Sequence, residues 1–217
     1  MKVIGKDIFK EHLKDGMSIM VGGFMTNGTP EILIDLIVES EVKDLTLICN
    51  DAGYEDKGIG KLIANGLVKK LITSHIGLNP LAGKLMNEGK LDIELVPQGT
   101  LAERIRSFGA GLGGVLTQTG LGTDVANGKE TLQVDGKEFL LEKPLGADLA
   151  IIRGTLIDKA GNVFYSGTTR NFNPLMATAC SVVFATCEKL VEVGEIQKEA
   201  VITPSIFVDY VVEGVEK

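Results

Sequence analysis

The sequence predicts an α/β fold: an open, mostly parallel sheet with helices on both faces, followed by a second half that contains a β-hairpin. Three observations carry this. Strand-like and helix-like segments alternate four times in the first half, the order that βα units leave in a chain. Pro, Gly and Asn punctuate the segments where helices start and stop. The length of 217 residues suits one domain, residues 1–217, large enough to bury roughly 70% of the unfolded surface.

The elements follow in order. "MSIMVGG" (17–23) reads as a buried strand. "PEILIDLIVES" (30–40) reads as a helix, with Thr29 as N-cap, Pro30 in its first position, and Ile32, Leu33, Leu36 and Ile37 at helical spacing. "LTLICN" (45–50) is the second strand, and "GIGKLIANG" (58–66) a short helix closed by Gly66. "VKKLITSHIG" (68–77) is the third strand, and "NPLAGKLMNEG" (79–89) a helix capped by Asn79 with Pro80 behind it. "DIELVPQG" (92–99) is the fourth strand. "TLAERIRSFG" (100–109) is a helix in which Thr100 and Glu103 form a capping box. Each crossover is expected to be right-handed. In the second half, "TLQVDGKEFLLE" (131–142) is a hairpin turning on Asp135-Gly136. "DLAIIRGTLIDKAGNVFYSG" (148–167) holds two strands, "NPLMATACS" (173–181) a helix capped by Asn173, and the two segments after it are late strands or sheet edges.

Composition excludes several functions. A formal charge of -7 opposes nucleic-acid binding, which rests on Lys and Arg at phosphates, and opposes an anionic membrane surface. No apolar stretch approaches the ~20 residues of a membrane span, and the N-terminus lacks the apolar core of a signal peptide. Cys49, Cys180 and Cys187 are odd in number and scattered, so they read as packed thiols of a cytoplasmic protein. Two distant histidines and no CxxC give no metal site.

In open parallel sheets, ligands bind outside the carboxyl ends of the strands. The residues there are Gly22-Gly23-Phe24, Asn50-Asp51, Ser74-His75 and Pro97-Gln98-Gly99. The loop Gly22, Gly23, Phe24, Met25, Thr26, Asn27, Gly28 runs from a strand into a helix start, where glycine permits close approach and unpaired N–H groups favour an anion. It is either a cradle for phosphate or carboxylate or simply a tight turn. "GAGLGG" (109–114) fits GxGxxG in letters but follows a helix, so it reads as a helix end and loop. Asn50 and Gln98 are neutral amides able to donate to a developing oxyanion, although Asn also favours turns. His75 is a candidate base with no evident carboxylate partner. Glu39 and Glu41 read as surface charges. No nucleophile is evident: the chain has neither a GxSxG elbow nor paired carboxylates at a strand end.

"DGMSIMVGGFMTNGTP" (15–30) resembles the signature of family I coenzyme A transferases. "PQGTLAERIR" (97–106), "TGLGT" (119–123), "LLEKPLGADLAIIRG" (140–154), "DKAGNVFY" (158–165) and "RNFNPLMATA" (170–179) resemble the α subunits of acetate/butyrate–acetoacetate CoA-transferases, in the same order along essentially the whole chain. The resemblance implies a Rossmann-like α/β fold, shared in outline with sugar-phosphate isomerases. It implies ping-pong transfer of CoA between acyl-CoA and a short carboxylate through a glutamyl-CoA thioester, a form of covalent catalysis. The family's nucleophilic Glu lies in a Ser-Glu-Asn-Gly motif on a β subunit. Here Ser40-Glu41 is followed by Val and Lys on a helix, so Glu41 is not assigned that role. By position, the resemblance implies CoA contact for residues 22–28 and a polar pocket from Asn50 and Gln98; Asp51 stands where some relatives carry Asn and is given no oxyanion role. It implies no permanently bound cofactor, acyl-CoA and small carboxylic acids as substrates, and an α2β2 or similar assembly in short-chain fatty acid metabolism. A sugar-phosphate isomerase would need a base on the rim, for which only His75 is available. A sensor of phosphorylated metabolites would be expected to carry a DNA-binding segment.

Overall fold

The computed structural model describes residues 2–215. Among these, a nine-stranded sheet contains β1 (Val3–Ile4), β2 (Ser18–Val21), β3 (Leu45–Cys49), β4 (Val68–Thr73), β5 (Asp92–Leu95), β9 (Ala147–Asp158), β10 (Val163–Phe164), β11 (Cys180–Val191) and β12 (Tyr210–Val215). Its order is β1-β12-β11-β9-β2-β3-β4-β5 with every pair on that path parallel; β10 pairs β9 antiparallel. A smaller antiparallel sheet, β6 (Val115–Thr117), β8 (Lys137–Glu142) and β7 (Thr131–Val134), stands beside it. Its hairpin turns on Asp135 and Gly136, both at positive φ (50° and 74°), as a two-residue turn between right-twisted strands requires.

The central strands are apolar on both sides because both sides are covered. Ile19, Val21, Leu47, Leu71, Leu149 and Ile151 face one core, which α1 (Lys6–Glu11), α2 (Glu31–Ser40), α3 (Gly60–Ala64) and α4 (Pro80–Asn87) close with Phe9, Leu33, Ile37, Leu62 and Ala82. Met20, Ile48, Ile72, Ala150 and Ile152 face the other, closed by α5 (Gln98–Gly109) and α6 (Asn173–Met176) through Leu101, Ile105 and Met176.

Three expected helix starts differ. Helix α2 begins at Glu31, with Pro30 rather than Thr29 in the cap position. Helix α5 begins two residues early at Gln98, because Pro97 follows β5 almost directly and sets the turn; Thr100 is then buried inside the first turn. No capping box forms, and Glu103 pairs with Arg106 instead (2.9 Å). Asn173 does not cap α6, since its amide is engaged elsewhere. Asn79 does cap α4, its Oδ1 accepting from Ala82 N (3.0 Å), with Pro80 next. Strand β11 is an interior strand, between β9 and β12, rather than an edge.

At the β5 edge, Glu94 accepts from Arg104 (2.9 Å) and pairs with Lys70 (3.1 Å); Arg104 also donates to Lys143 O (3.1 Å), at the end of β8. Partial burial pulls the Glu94 carboxyl up, but Arg104 and Lys70 outweigh it and hold the group below its ordinary value. Such a group stabilises the fold fully above the unfolded value, about 4.3, and the contribution is lost as pH falls through the lower folded value. Glu94→Gln is therefore expected to lower the urea midpoint at pH 7 and to converge on the parent protein as pH drops below ~4. A pH-independent gap between the two midpoints would show that the charge network contributes nothing.

Candidate active site

The chain steps outward from β2 through β3 and β4 to β5, while β9 lies on the other side of β2. The order reverses there, and a crevice opens at the carboxyl ends of such strands. The Gly22 to Gly28 loop follows β2 at this point. Gly22 N donates to Ile151 O of β9 (2.9 Å), and Phe24 and Asn27 exchange backbone hydrogen bonds (3.0 and 2.9 Å) in a tight turn. Met25 stands at φ 60° there. Its N–H donates to Asp51 Oδ2 (2.7 Å), which also accepts from Asn50 Nδ2 (2.8 Å); Asp51 Oδ1 accepts from Gly53 N (2.9 Å).

The glycines of this loop make close approaches to the protein itself. A Cβ on Gly22 would overlap Asn173 Oδ1, and one on Gly23, at φ +125°, would overlap Thr29 Oγ1. At Gly28 a Cβ would stand 2.9 Å from Asn173 Nδ2 and from Thr169 O. Asn171 Oδ1 accepts from Gly23 N (3.1 Å) and its Nδ2 donates to Asn27 O (2.9 Å); Asn173 Nδ2 donates to Gly28 O (2.9 Å).

The two amides expected to cooperate are in contact. Gln98 Nε2 donates to Asn50 Oδ1 (2.7 Å). Asp51, which accepts from Asn50 Nδ2, fixes which end of the Asn50 amide is oxygen. Ser74 Oγ, just past the end of β4, donates to the Asn50 backbone carbonyl (2.7 Å). An amide nitrogen carries two hydrogens, so Asn50 and Gln98 each keep one N–H beyond this chain of bonds. Asn50 is buried and Gln98 exposed, which sets a rigid donor beside an accessible one. Asp51 has no oxyanion role in the sequence reading, yet it organises the site by tying the Gly loop to Asn50. The available signal was Gly53 two residues on, since Asp favours bonding the backbone there. Asn171 and Asn173 were also missed as loop partners, lying about 145 residues away in the chain.

Other candidates make no side-chain hydrogen bond to this cluster. His75 is exposed, with its ring over Gly77, and its backbone carbonyl accepts from Ala52 N (3.0 Å). Glu41 is exposed in the left-handed C-cap of α2, at the end of that helix away from the rim. Glu39 pairs with Lys10 (2.6 Å), whose hydrogen bond and charge lower its pKa. Both carboxylate oxygens of Asp51 are committed to N–H groups. Burial pushes the thiols of Cys49 and Cys180 up, Cys180 to about 12, which leaves them protonated and poor nucleophiles. Among the described residues, no three His, Cys, Asp or Glu side chains group to hold a metal ion, and no helix is long and apolar enough to cross a membrane.

Comparison with known proteins identifies the family and the fold. The chain is 51% identical over 212 residues to the acetoacetyl-CoA:acetate/butyrate CoA transferase alpha subunit of Clostridium acetobutylicum, covering 98% of this chain and 97% of that one. It is 54% identical over 199 residues to the acetate CoA-transferase subunit alpha of Escherichia coli K12, covering 92% and 90%. The fold matches an acyl-CoA transferase from E. coli O157:H7, solved as a thioester complex with CoA, at a TM-score of 0.85 and 22% identity. That match covers 98% of this chain and 47% of the other, so the chain spans about half of that protein's length. The Coenzyme A transferase family matches residues 6–214, and the chain, with its glycine loop, amide pair and parallel sheet, belongs to that family.

Proposed function

We propose that this chain is the α subunit of a heteromeric short-chain acyl CoA-transferase that moves CoA between an acyl-CoA and acetoacetate, acetate or butyrate. The observation that carries the reading is the locked pair Asn50 and Gln98, whose bonded carboxylate, Asp51, is committed to N–H groups. Such a rim stabilises an oxyanion but attacks nothing. A Glu carboxylate from a β subunit attacks the thioester carbonyl, and the spare N–H groups of Asn50 and Gln98 donate to the oxygen as it gains charge. Collapse expels CoA thiolate and leaves an acyl-glutamyl anhydride. The thiolate attacks the glutamyl carbonyl, forming the enzyme thioester and releasing the carboxylate. An acceptor carboxylate then takes the CoA by the reverse steps. CoA is thus a substrate, and no bound cofactor is needed.

Residues 22–28 form one wall of the CoA site in this reading. Exposed Phe24, Tyr54 and Leu78 stand on three successive loops of the same rim, which supports a partner covering it. The assembly is α2β2 or a similar hetero-oligomer. The test is acetoacetyl-CoA formation from acetoacetate and acetyl-CoA, measured for the chain alone and with a partner carrying Ser-Glu-Asn-Gly. Activity is expected only in the mixture; full activity of the isolated chain would sink the proposal.

A further inference from the structure

We propose that Asn171 and Asn173 are positioning residues that hold residues 22–28 in the shape that meets CoA. This rests on the reading that the loop contacts CoA. The segment Asn171-Phe172-Asn173 follows β10. Phe172 is buried in the core that α5 and α6 cover and anchors the segment there, which leaves the two amides reaching toward the glycine loop.

Burying an amide is costly unless its donors and acceptor are bonded. Asn173 is fully buried and meets that condition. Its Oδ1 accepts from Arg153 N of β9 (3.0 Å), and its Nδ2 donates to Gly28 O and Thr169 O (both 2.9 Å). Asn171 bridges both sides of the turn: Oδ1 accepts from Gly23 N (3.1 Å), and Nδ2 donates to Asn27 O (2.9 Å) and Thr168 O (2.6 Å). One three-residue segment therefore grips both ends of the loop while Asp51 holds its tip at Met25. The glycine requirement has the same origin, since Gly22 and Gly28 leave the room that the Asn173 amide occupies. A loop held in this way is ordered before ligand arrives, so binding does not bear its ordering cost. The two asparagines then act on KM for acyl-CoA rather than on the chemical step.

The test uses the assembled enzyme. Asn173→Asp keeps an oxygen for Arg153 N but replaces the donors to Gly28 O and Thr169 O with a carboxylate. Asn171→Ala, at a half-buried position, carries the test should the first variant not fold. Asn65→Ala, on an exposed helix end, is the control. Hydrogen exchange of residues 22–28 is expected to speed up and KM for acetyl-CoA to rise roughly tenfold, with kcat within about threefold of the parent and KM for the carboxylate unchanged. Unchanged loop exchange in both variants would overturn the positioning role outright. Faster exchange with an unchanged KM for acetyl-CoA would also overturn the proposal, by removing the CoA contact it rests on. A fall in kcat alone would overturn it in favour of a role in chemistry.

Discussion

Gln98→Ala is expected to lower kcat of the assembled enzyme by about 10²-fold, the cost of one oxyanion donor, with assembly unchanged and stability lowered only by the loss of one hydrogen bond, about 1–2 kcal/mol. Gln98 is exposed at the start of α5, so truncating it opens no cavity, and Ala is a good helix residue. What disappears is the spare N–H to which the proposed mechanism gives the oxyanion, along with the bond that holds Asn50 Oδ1 (2.7 Å). Gln98→Glu discriminates further, because a carboxylate can accept but not donate. It should be at least as impaired as the Ala variant despite its matching shape. Single-turnover measurement of enzyme-thioester formation reads this step directly. A parent-like rate in both variants would remove Gln98 from the oxyanion site.

Gly23→Val is expected to fail in two ways at once. The position has φ +125° and its Cβ would overlap Thr29 Oγ1. Left-handed strain and overpacking each cost about 1–3 kcal/mol, together about 2–6 kcal/mol, which corresponds to a Tm loss of roughly 4–24 °C for a chain of this size. KM for acyl-CoA should rise in parallel, because the distorted loop no longer presents its wall. The sequence suggests a simpler cause, a side chain standing where CoA must approach. The two causes separate cleanly: obstruction of ligand alone raises KM with an unchanged Tm, whereas displacement of Thr29 moves both. A rise in KM without loss of Tm would contradict the packing seen around Gly23.

Asn79 and Pro80 could be read as a helix start because cap and capped N–H lie three residues apart. The Asp135-Gly136 turn could be read because its φ requirement belongs to those two residues. Thr100 and Asn173 mimic the same local signals and do something else. Pro97 moves the start of α5 past Thr100, and the Asn173 amide finds better partners on β9 and the glycine loop. The strand-end rim was legible, since each βα unit delivers its own residues to it. Asn50 and Gln98 were therefore nameable as a pair, but their contact depends on β3 and β5 flanking β4.

By itself, the sequence determined the alternation of strands and helices, the glycine loop after β2, the amides at the strand ends and the family. Each of these is written in neighbouring residues or in long contiguous motifs. Only the tertiary structure decided why the loop must be glycine, why Asp51 matters and what Asn171 and Asn173 hold. The glycine and asparagine answers depend on β9 lying beside β2, a pairing between segments about 130 residues apart, and the Asp51 answer on β3 lying on the other side of β2. Local propensity carries no information about which distant strand a buried strand will choose; that is settled by the packing of both cores together.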